Sequence, residues 1–121
     1  MFSTGDVVLF FNKYADKMKF HLCVNSSGYY FYINSPKEHS FRGDFFVARE
    51  HLPFLPDQSH SVVSCSELME FSSIQISRLQ AIKKGTMPKE IFRDLVAFVE
   101  KTKVLKEDDK IKVYEGFRNW R

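Results

Sequence analysis

The stretch from residue 5 to residue 24 constrains the fold more than any other part of this chain. It opens with the pair Gly5-Asp6, typical of a turn, and continues into an apolar, strand-forming run at 7–11 (VVLFF). A polar segment at 12–17 follows. From 18 to 24, apolar and polar side chains alternate strictly, which indicates a strand with one buried and one solvent-facing side. We therefore predict a buried strand, a basic and aromatic loop, and a half-buried second strand.

Further strand-like runs follow, separated by turn signals. The cluster Asn25-Ser26-Ser27-Gly28 predicts a hairpin connection. Pro36 ends the next run, because proline cannot donate to a central ladder. The predicted strands are residues 29–33, 45–48 and 61–65, with one more turn or short strand at 68–71.

The apolar spacing becomes helical from Ser73 onward. Residues 74–82 fit a short helix that ends at the Lys-Lys-Gly sequence 83–85. Thr86 and Pro88 predict the cap and first turn of a second helix, which is expected to run through the apolar positions 91, 95, 98 and 99. Acidic residues at 107–109 predict the start of a closing helix in the tail, and this apolar tail is expected to pack on the domain rather than on a partner chain.

Strands come first in this chain and helices second. This order predicts an α+β domain, a small curled sheet or barrel capped by helices. Parallel βαβ units are excluded, because the first three strands leave no room for crossover helices. We expect a single domain over residues 1–121, with strands at about 5–71, helices at about 74–102 and a C-terminal tail at 103–121.

Composition limits the class of protein. The chain has 121 residues, of which 44% are hydrophobic and 16% aromatic, enough for a packed core. No apolar run approaches the roughly 18 residues that a membrane span needs, and the first residues lack a secretion signal. We expect a cytoplasmic protein that makes no membrane contact. The net charge of +3 permits a nucleic-acid or acidic partner without requiring one.

Metal or cofactor chemistry has little support in the sequence. Cys23 and Cys65 are isolated and are interpreted as reduced core thiols, with a disulfide or metal role as the alternative. His39, His51 and His60 are interpreted as surface histidines. No HExxH motif, ligand-spaced carboxylate pair or glycine-rich phosphate loop is present. We therefore expect neither a metal nor a cofactor.

Several segments resemble the MazF/PemK-like toxin family, in order along about residues 5–100. The segment GDVVL at 5–9, SVVSC at 61–65, SRL at 77–79 and the helix at 88–98 are similar to the family's first strand, later strand and helical end. The resemblance implies an SH3-like β-barrel of about five to six antiparallel strands with C-terminal helices. It also implies a homodimer, metal-independent cleavage of single-stranded RNA (an mRNA interferase) and an antitoxin protein as partner.

The family's catalytic positions map onto different residue types here. Lys19 stands where the family has its catalytic arginine, and Phe20 replaces the proline after it. Ser35 is the nearest counterpart of the catalytic Thr or Ser, and His60 replaces an aspartate. Lysine keeps the charge of arginine but loses the planar fork that binds phosphate through two hydrogen bonds.

Three residues form the predicted catalytic centre: Lys19, His21 and Ser35. RNA cleavage by the 2′-hydroxyl needs a base, a cation for the phosphate and an acid for the leaving oxygen. Lys19 can supply the cation, His21 the acid or base, and Ser35 a hydrogen bond to phosphate. In the alternative, Lys19 and His21 are only the solvated face of a strand and Ser35 is a turn residue.

Basic and aromatic side chains are interleaved in two predicted loops. Cations neutralise phosphates while aromatic rings stack on bases, so this pattern favours RNA binding. In the alternative function, the chain is a non-catalytic SH3-like barrel that binds a protein or nucleic-acid partner. The predicted RNA-binding residues are Lys13, Tyr14 and Lys17 in the first loop and Lys37 and Arg42 in the later one.

Overall fold

A computed structural model describes residues 2–35, 41–56 and 60–120. Within these residues the chain forms six strands and three helices. A single 3-10 turn, Arg49–His51, follows the fourth strand. The elements are β1 (Asp6–Asn12), β2 (Lys17–Asn25), β3 (Tyr29–Asn34), β4 (Asp44–Ala48), β5 (His60–Glu70), α1 (Ser73–Arg78), β6 (Ile82–Thr86), α2 (Lys89–Lys101) and α3 (Glu107–Arg118).

The six strands form one curled antiparallel sheet in the order β4-β5-β3-β2-β1-β6. The β1–β2 and β2–β3 hairpins lie at its centre. Two helices follow the last strand and cover one face of the sheet. The predicted fold class, a small α+β barrel with C-terminal helices, is confirmed.

Both faces of the central strands are buried, each in its own core. The core beneath α2 and α3 includes Leu22 and Phe31 from the sheet and Phe92 from α2. The core on the opposite face includes Phe10 and Tyr30 from the sheet, together with Ile76 of α1. The half-buried pattern expected for β2 is therefore wrong for its second half, since every residue from 21 to 25 is buried.

The two cysteines lie in different cores. Cys23 packs in the core that contains Phe10, and Cys65 packs in the core beneath the helices. Both thiols are free and buried. Burial raises the pKa of the Cys23 thiol to about 12, which keeps it protonated at neutral pH.

The strand β6 is the main departure from the predicted elements. Helix α1 ends at Arg78 rather than at 83–85, because Gln80 takes a left-handed backbone conformation with φ of 52°. The chain then pairs with β1, where Val8 faces Lys83 and Leu9 faces Ile82. Lys83 also forms an ion pair of 3.2 Å with Asp6. Tertiary pairing thus overrides the helical spacing seen in the sequence.

Two further element boundaries also differ from the predictions. The segment at 68–71 is not a separate turn or strand, because β5 runs unbroken from His60 to Glu70. Thr86 belongs to β6, where its hydroxyl donates to Asp6 Oδ1 at 3.3 Å, and Pro88 precedes the first residue of α2. The helix predicted after Pro88 is otherwise present.

Helix α3 holds the C-terminal segment against the sheet. Asn25 Nδ2 donates to the Lys112 carbonyl at 2.8 Å, which ties the end of β2 to the middle of α3. Trp120 contacts the Phe92 ring edge-on, with 5.1 Å between ring centroids. The prediction that the tail packs on the domain is confirmed.

A buried lysine joins α3 to the end of α2. Lys110 Nζ donates to the carbonyls of Thr102 at 2.6 Å and Glu100 at 3.3 Å, and it forms an ion pair with Glu107 at 3.4 Å. These carbonyls lie at the C-terminus of α2, where the helix leaves acceptors unsatisfied and carries partial negative charge. Lys110 of α3 therefore caps the C-terminus of α2.

Candidate functional site

The outer surface of the sheet carries a connected row of polar and aromatic side chains across β2, β3 and β5. Lys19 Nζ donates to Asn34 Oδ1 and lies 5.2 Å from the centre of the Tyr32 ring. Asn34 Nδ2 in turn donates to Ser64 Oγ at 2.7 Å. The name open sheet face is used below for Lys19, Tyr32, Asn34 and Ser64 together with Phe46 on β4.

Phe46 belongs to this face by register. Asn34 is the cross-strand partner of Val62, and Val62 is the partner of Phe46. Residues directly opposite one another on neighbouring strands point to the same side of a sheet. The Phe46 side chain is 54% exposed and contacts the His60 ring edge-on. The open sheet face thus presents two aromatic rings, one beside a cation.

The loop between β1 and β2 lies at one end of this face and is held by Asn12. Asn12 Oδ1 accepts hydrogen bonds from the backbone N–H groups of Tyr14 at 2.9 Å and Ala15 at 3.2 Å. Asp16 completes the turn with φ of 54°. Tyr14 is 74% exposed, and Lys13 Nζ lies 5.3 Å from its ring centre. The loop therefore projects a cation and a ring into solvent.

His21 lies beneath this surface, not on it. Its ring is fully buried and stacks on Phe10, with 3.7 Å between centroids and planes 6° apart. Burial lowers its pKa from the ordinary 6.5 to about 4. The predicted acid or base is therefore neutral at physiological pH and has no surface from which to reach a substrate.

The hydrogen bonds of Asn12 fix the proton of His21. Because Asn12 Oδ1 accepts from the loop, its Nδ2 faces the imidazole and donates to His21 Nε2 at 3.1 Å. Nε2 must then be an acceptor, which places the proton on Nδ1. Protonation of Nε2 would place its N–H against the amide N–H of Asn12, and the hydrogen bond between the two side chains would be lost.

Lys19 and Ser35 line a shared groove where β2 begins and β3 ends. The groove has a volume of about 380 Å³. Two of the three predicted catalytic residues are thus brought together, while His21 is not part of the lining. The other lining residues are Lys17, Met18, Phe20, Ile33 and Asn34.

Among the described residues predicted to bind RNA, only Lys17 lines this groove. Lys13, Tyr14 and Lys17 are exposed on the β1–β2 loop and the start of β2. Arg42 is exposed in the turn before β4. Lys37, like His39, lies outside the described residues. Of the histidines interpreted as surface residues, His51 and His60 are both partly buried.

Sequence analysis missed Tyr32, Asn34 and Phe46 as surface residues. The hairpin turn at 25–28 gives no usable signal for Tyr32, because counting from the turn would place Ile33 opposite His21. A bulge between Cys23 and Asn25 shifts the register by one residue and brings Tyr32 there instead. Phe46 had no usable signal either, because its position depends on how β4 pairs with the distant β5.

The described ranges contain neither a metal-binding cluster nor a membrane-spanning helix. No group of three or more His, Cys, Asp or Glu side chains there is placed to hold a metal ion. No helix in those ranges combines the length and apolar character needed to cross a bilayer. Comparison with protein-family models, with curated proteins and with solved structures gives no match to this chain.

Proposed function

We propose that this protein is a binding module for single-stranded RNA, which it contacts through the open sheet face and the β1–β2 loop. One observation carries the proposal: Lys19 sits beside the Tyr32 ring, both side chains are half-buried, and the exposed Phe46 lies on the same face of the sheet. Aromatic rings stack on bases of any sequence, and cations follow the phosphate backbone. Lys13, Tyr14 and Lys17 extend this chemistry at one end of the face.

Binding is favoured over catalysis because of His21. Proton transfer to or from RNA requires a group within hydrogen-bond reach of the reacting oxygen. His21 is buried under the sheet surface and held as the neutral tautomer by Asn12. The described residues that line the groove around Lys19 and Ser35 include no histidine and no carboxylate. The groove can thus contact phosphate, but these lining residues supply no histidine or carboxylate for proton transfer.

The binding test compares ring and charge variants on a fluorescein-labelled oligouridine RNA. Tyr32→Ala is expected to weaken binding about 10-fold, since one base–ring stack contributes about 1–3 kcal/mol, whereas Tyr32→Phe keeps the ring and should bind nearly as well. Lys19→Gln should reduce the slope of log affinity against log salt by about 1. Fluorescence polarisation over a salt series measures both effects.

Lys84→Gln is the matched charge control for this test. Lys84 is exposed on β6, at the far edge of the sheet from β4, and its loss should leave the affinity within about twofold under the same salt conditions. An affinity that is equal for wild type, Tyr32→Ala and Lys19→Gln would remove the open sheet face from the binding site. Absence of any polarisation change with wild type would refute RNA binding itself.

A second candidate function is metal-independent cleavage of single-stranded RNA at the same groove. The observation in its favour is that Lys19 and Ser35, the counterparts of two catalytic positions in MazF/PemK-like toxins, line one groove. In such a reaction the 2′-hydroxyl gives its proton to solvent water and attacks the phosphate, the bond to the 5′-oxygen breaks and that oxygen takes a proton from water, and a 2′,3′-cyclic phosphate remains. Lys19 would stabilise the phosphate and Ser35 would hold it. A homodimer and an antitoxin partner accompany this proposal by analogy alone.

Cleavage is tested on a long single-stranded RNA in the presence of EDTA. Under this second proposal, wild type produces discrete fragments with cyclic phosphate ends, and Lys19→Ala lowers the cleavage rate at least 100-fold, as expected for loss of a transition-state cation. His21→Gln, which changes a buried residue outside the groove, should retain most of the activity. Intact RNA at high protein concentration would refute the cleavage proposal and leave the binding proposal standing.

A further inference from the structure

A second groove lies between the end of β1 and helix α1. Its volume is about 220 Å³. Three apolar side chains form its walls and two cations lie among its lining residues, with no carboxylate among the described residues that line it. The Gln75 side chain is already engaged, because its Oε1 accepts from the Ser72 backbone N–H at 2.8 Å. The lining residues of this apolar groove are Phe11, Lys13, Phe71, Gln75, Arg78 and Leu79.

The exposed face of α3 has the complementary character. Ile111 is 50% exposed although it is a large apolar side chain. Asp108 precedes it by three residues and Glu115 follows it by four, and both are exposed. Residues at these spacings are neighbours on the surface of a helix. Ile111, Asp108 and Glu115 therefore form one apolar projection between two carboxylates, which we call the acidic knob.

We propose that the acidic knob of one molecule docks in the apolar groove of a second copy of this chain. Ile111 would enter between the walls formed by Phe11, Phe71 and Leu79. Asp108 and Glu115 would then meet Lys13 and Arg78 at the groove. A chain that carries both an apolar cleft with cations and an apolar knob with anions is complementary to itself.

The geometry of this contact determines what it assembles. The knob and the groove are different surfaces, so molecules can join head to tail, and each such pair leaves one groove and one knob unoccupied. Such contacts continue into chains, or close into rings when the rotation permits. The knob has three residues and the groove has six, whereas a stable interface contains roughly 20–30 residues on each side. Association is therefore weak, increases with protein concentration and decreases with salt.

The test uses two variants that each remove one half of the contact. Arg78→Glu reverses a charge at the groove, and Ile111→Asp removes the apolar tip of the knob. Both positions are exposed, so both variants should fold, which circular dichroism checks. In sedimentation velocity over a concentration series, wild type should form dimers and larger species, and each variant alone should stay monomeric. An equimolar mixture of the two variants should form heterodimers and nothing larger. The intact knob of Arg78→Glu docks in the intact groove of Ile111→Asp, and no second intact contact remains.

Two controls match these substitutions in kind and exposure. Arg93→Glu reverses a charge on α2, and Ile82→Asp removes an exposed isoleucine of β6 that does not line the groove; both should self-associate like wild type. Monomeric wild type at every concentration would overturn the proposal. A wild type that stops at dimers, combined with a mixture that stays monomeric, would overturn it as well, since that pattern belongs to a symmetric interface. If Ile111→Asp does not fold, Asp108→Lys replaces it with the same expected outcomes.

Discussion

Replacing Gly116 with alanine is expected to lower the free energy of unfolding by about 3 kcal/mol or more. Gly116 lies inside α3, where the helix rests directly on β2. A Cβ atom at this position would come within 1.8 Å of the Val24 carbonyl oxygen and 2.9 Å of Asn25 Cα. These are backbone atoms of a central strand, so they cannot rotate away. The helix must shift, and the contacts of the core beneath it are lost.

The direction of the stability change distinguishes a helix packed on the sheet from a helix free of it. Alanine in a helix is ordinarily about 1 kcal/mol more favourable than glycine, so a helix free of the sheet would be stabilised by the change. Urea denaturation of Gly116→Ala measures the free energy of unfolding directly. Glu115→Ala, at the exposed neighbouring position, is the control and should stay within about 0.5 kcal/mol of wild type. A Gly116→Ala protein as stable as wild type would contradict the close packing of α3 on β2.

Acidification is expected to destabilise the protein through His21. The pKa of this histidine is about 4 in the folded protein against an ordinary 6.5, because burial disfavours the charged ring. Between these two values the unfolded chain binds a proton that the folded protein does not. Stability is therefore complete above pH 6.5 and falls as the pH drops towards 4, by about 3 kcal/mol in total from this group.

The measurement is the free energy of unfolding at a series of pH values across this window. His21→Gln supplies an amide oxygen that can accept from Asn12 and does not titrate, so it should lose about 3 kcal/mol less than wild type on acidification. His51→Gln changes a partly buried histidine elsewhere and should follow the wild-type profile. Parallel profiles for wild type and His21→Gln would show that another group controls acid stability.

The sheet was largely predictable because its signals are local. The turn at 25–28 fixes the β2–β3 hairpin, and the apolar runs around it mark the central strands. Helix α2 was equally clear, since its apolar residues recur at helical spacing. Strand β6 was missed because its conformation depends on pairing with β1, far away in sequence. Its own residues, IKKGT, carry no alternation.

The candidate site was less predictable than the fold. Strict alternation in β2 predicts one buried and one exposed face, and it therefore predicts that His21 lies beside Lys19 at the surface. Helix α1 and the end of β5 contribute Ile76, Met69 and Phe71 to a second core that covers this side of the sheet. A polar residue in an alternating strand is thus no proof of exposure. Lys19 remains accessible because it lies closer to the open end of β2.

The place of β6 in the sheet has a consequence for how the protein is made. β1 is translated before every other strand of this sheet and its neighbour β2 follows directly, but its other neighbour is translated only after β5 and α1. The nascent chain therefore carries an unpaired edge along β1 throughout this interval. Such open edges attract strands of other chains, and their late closure by a distant segment slows folding. The pairing of β6 with β1 thus covers the strand edge that stays unpaired longest during synthesis of this sheet.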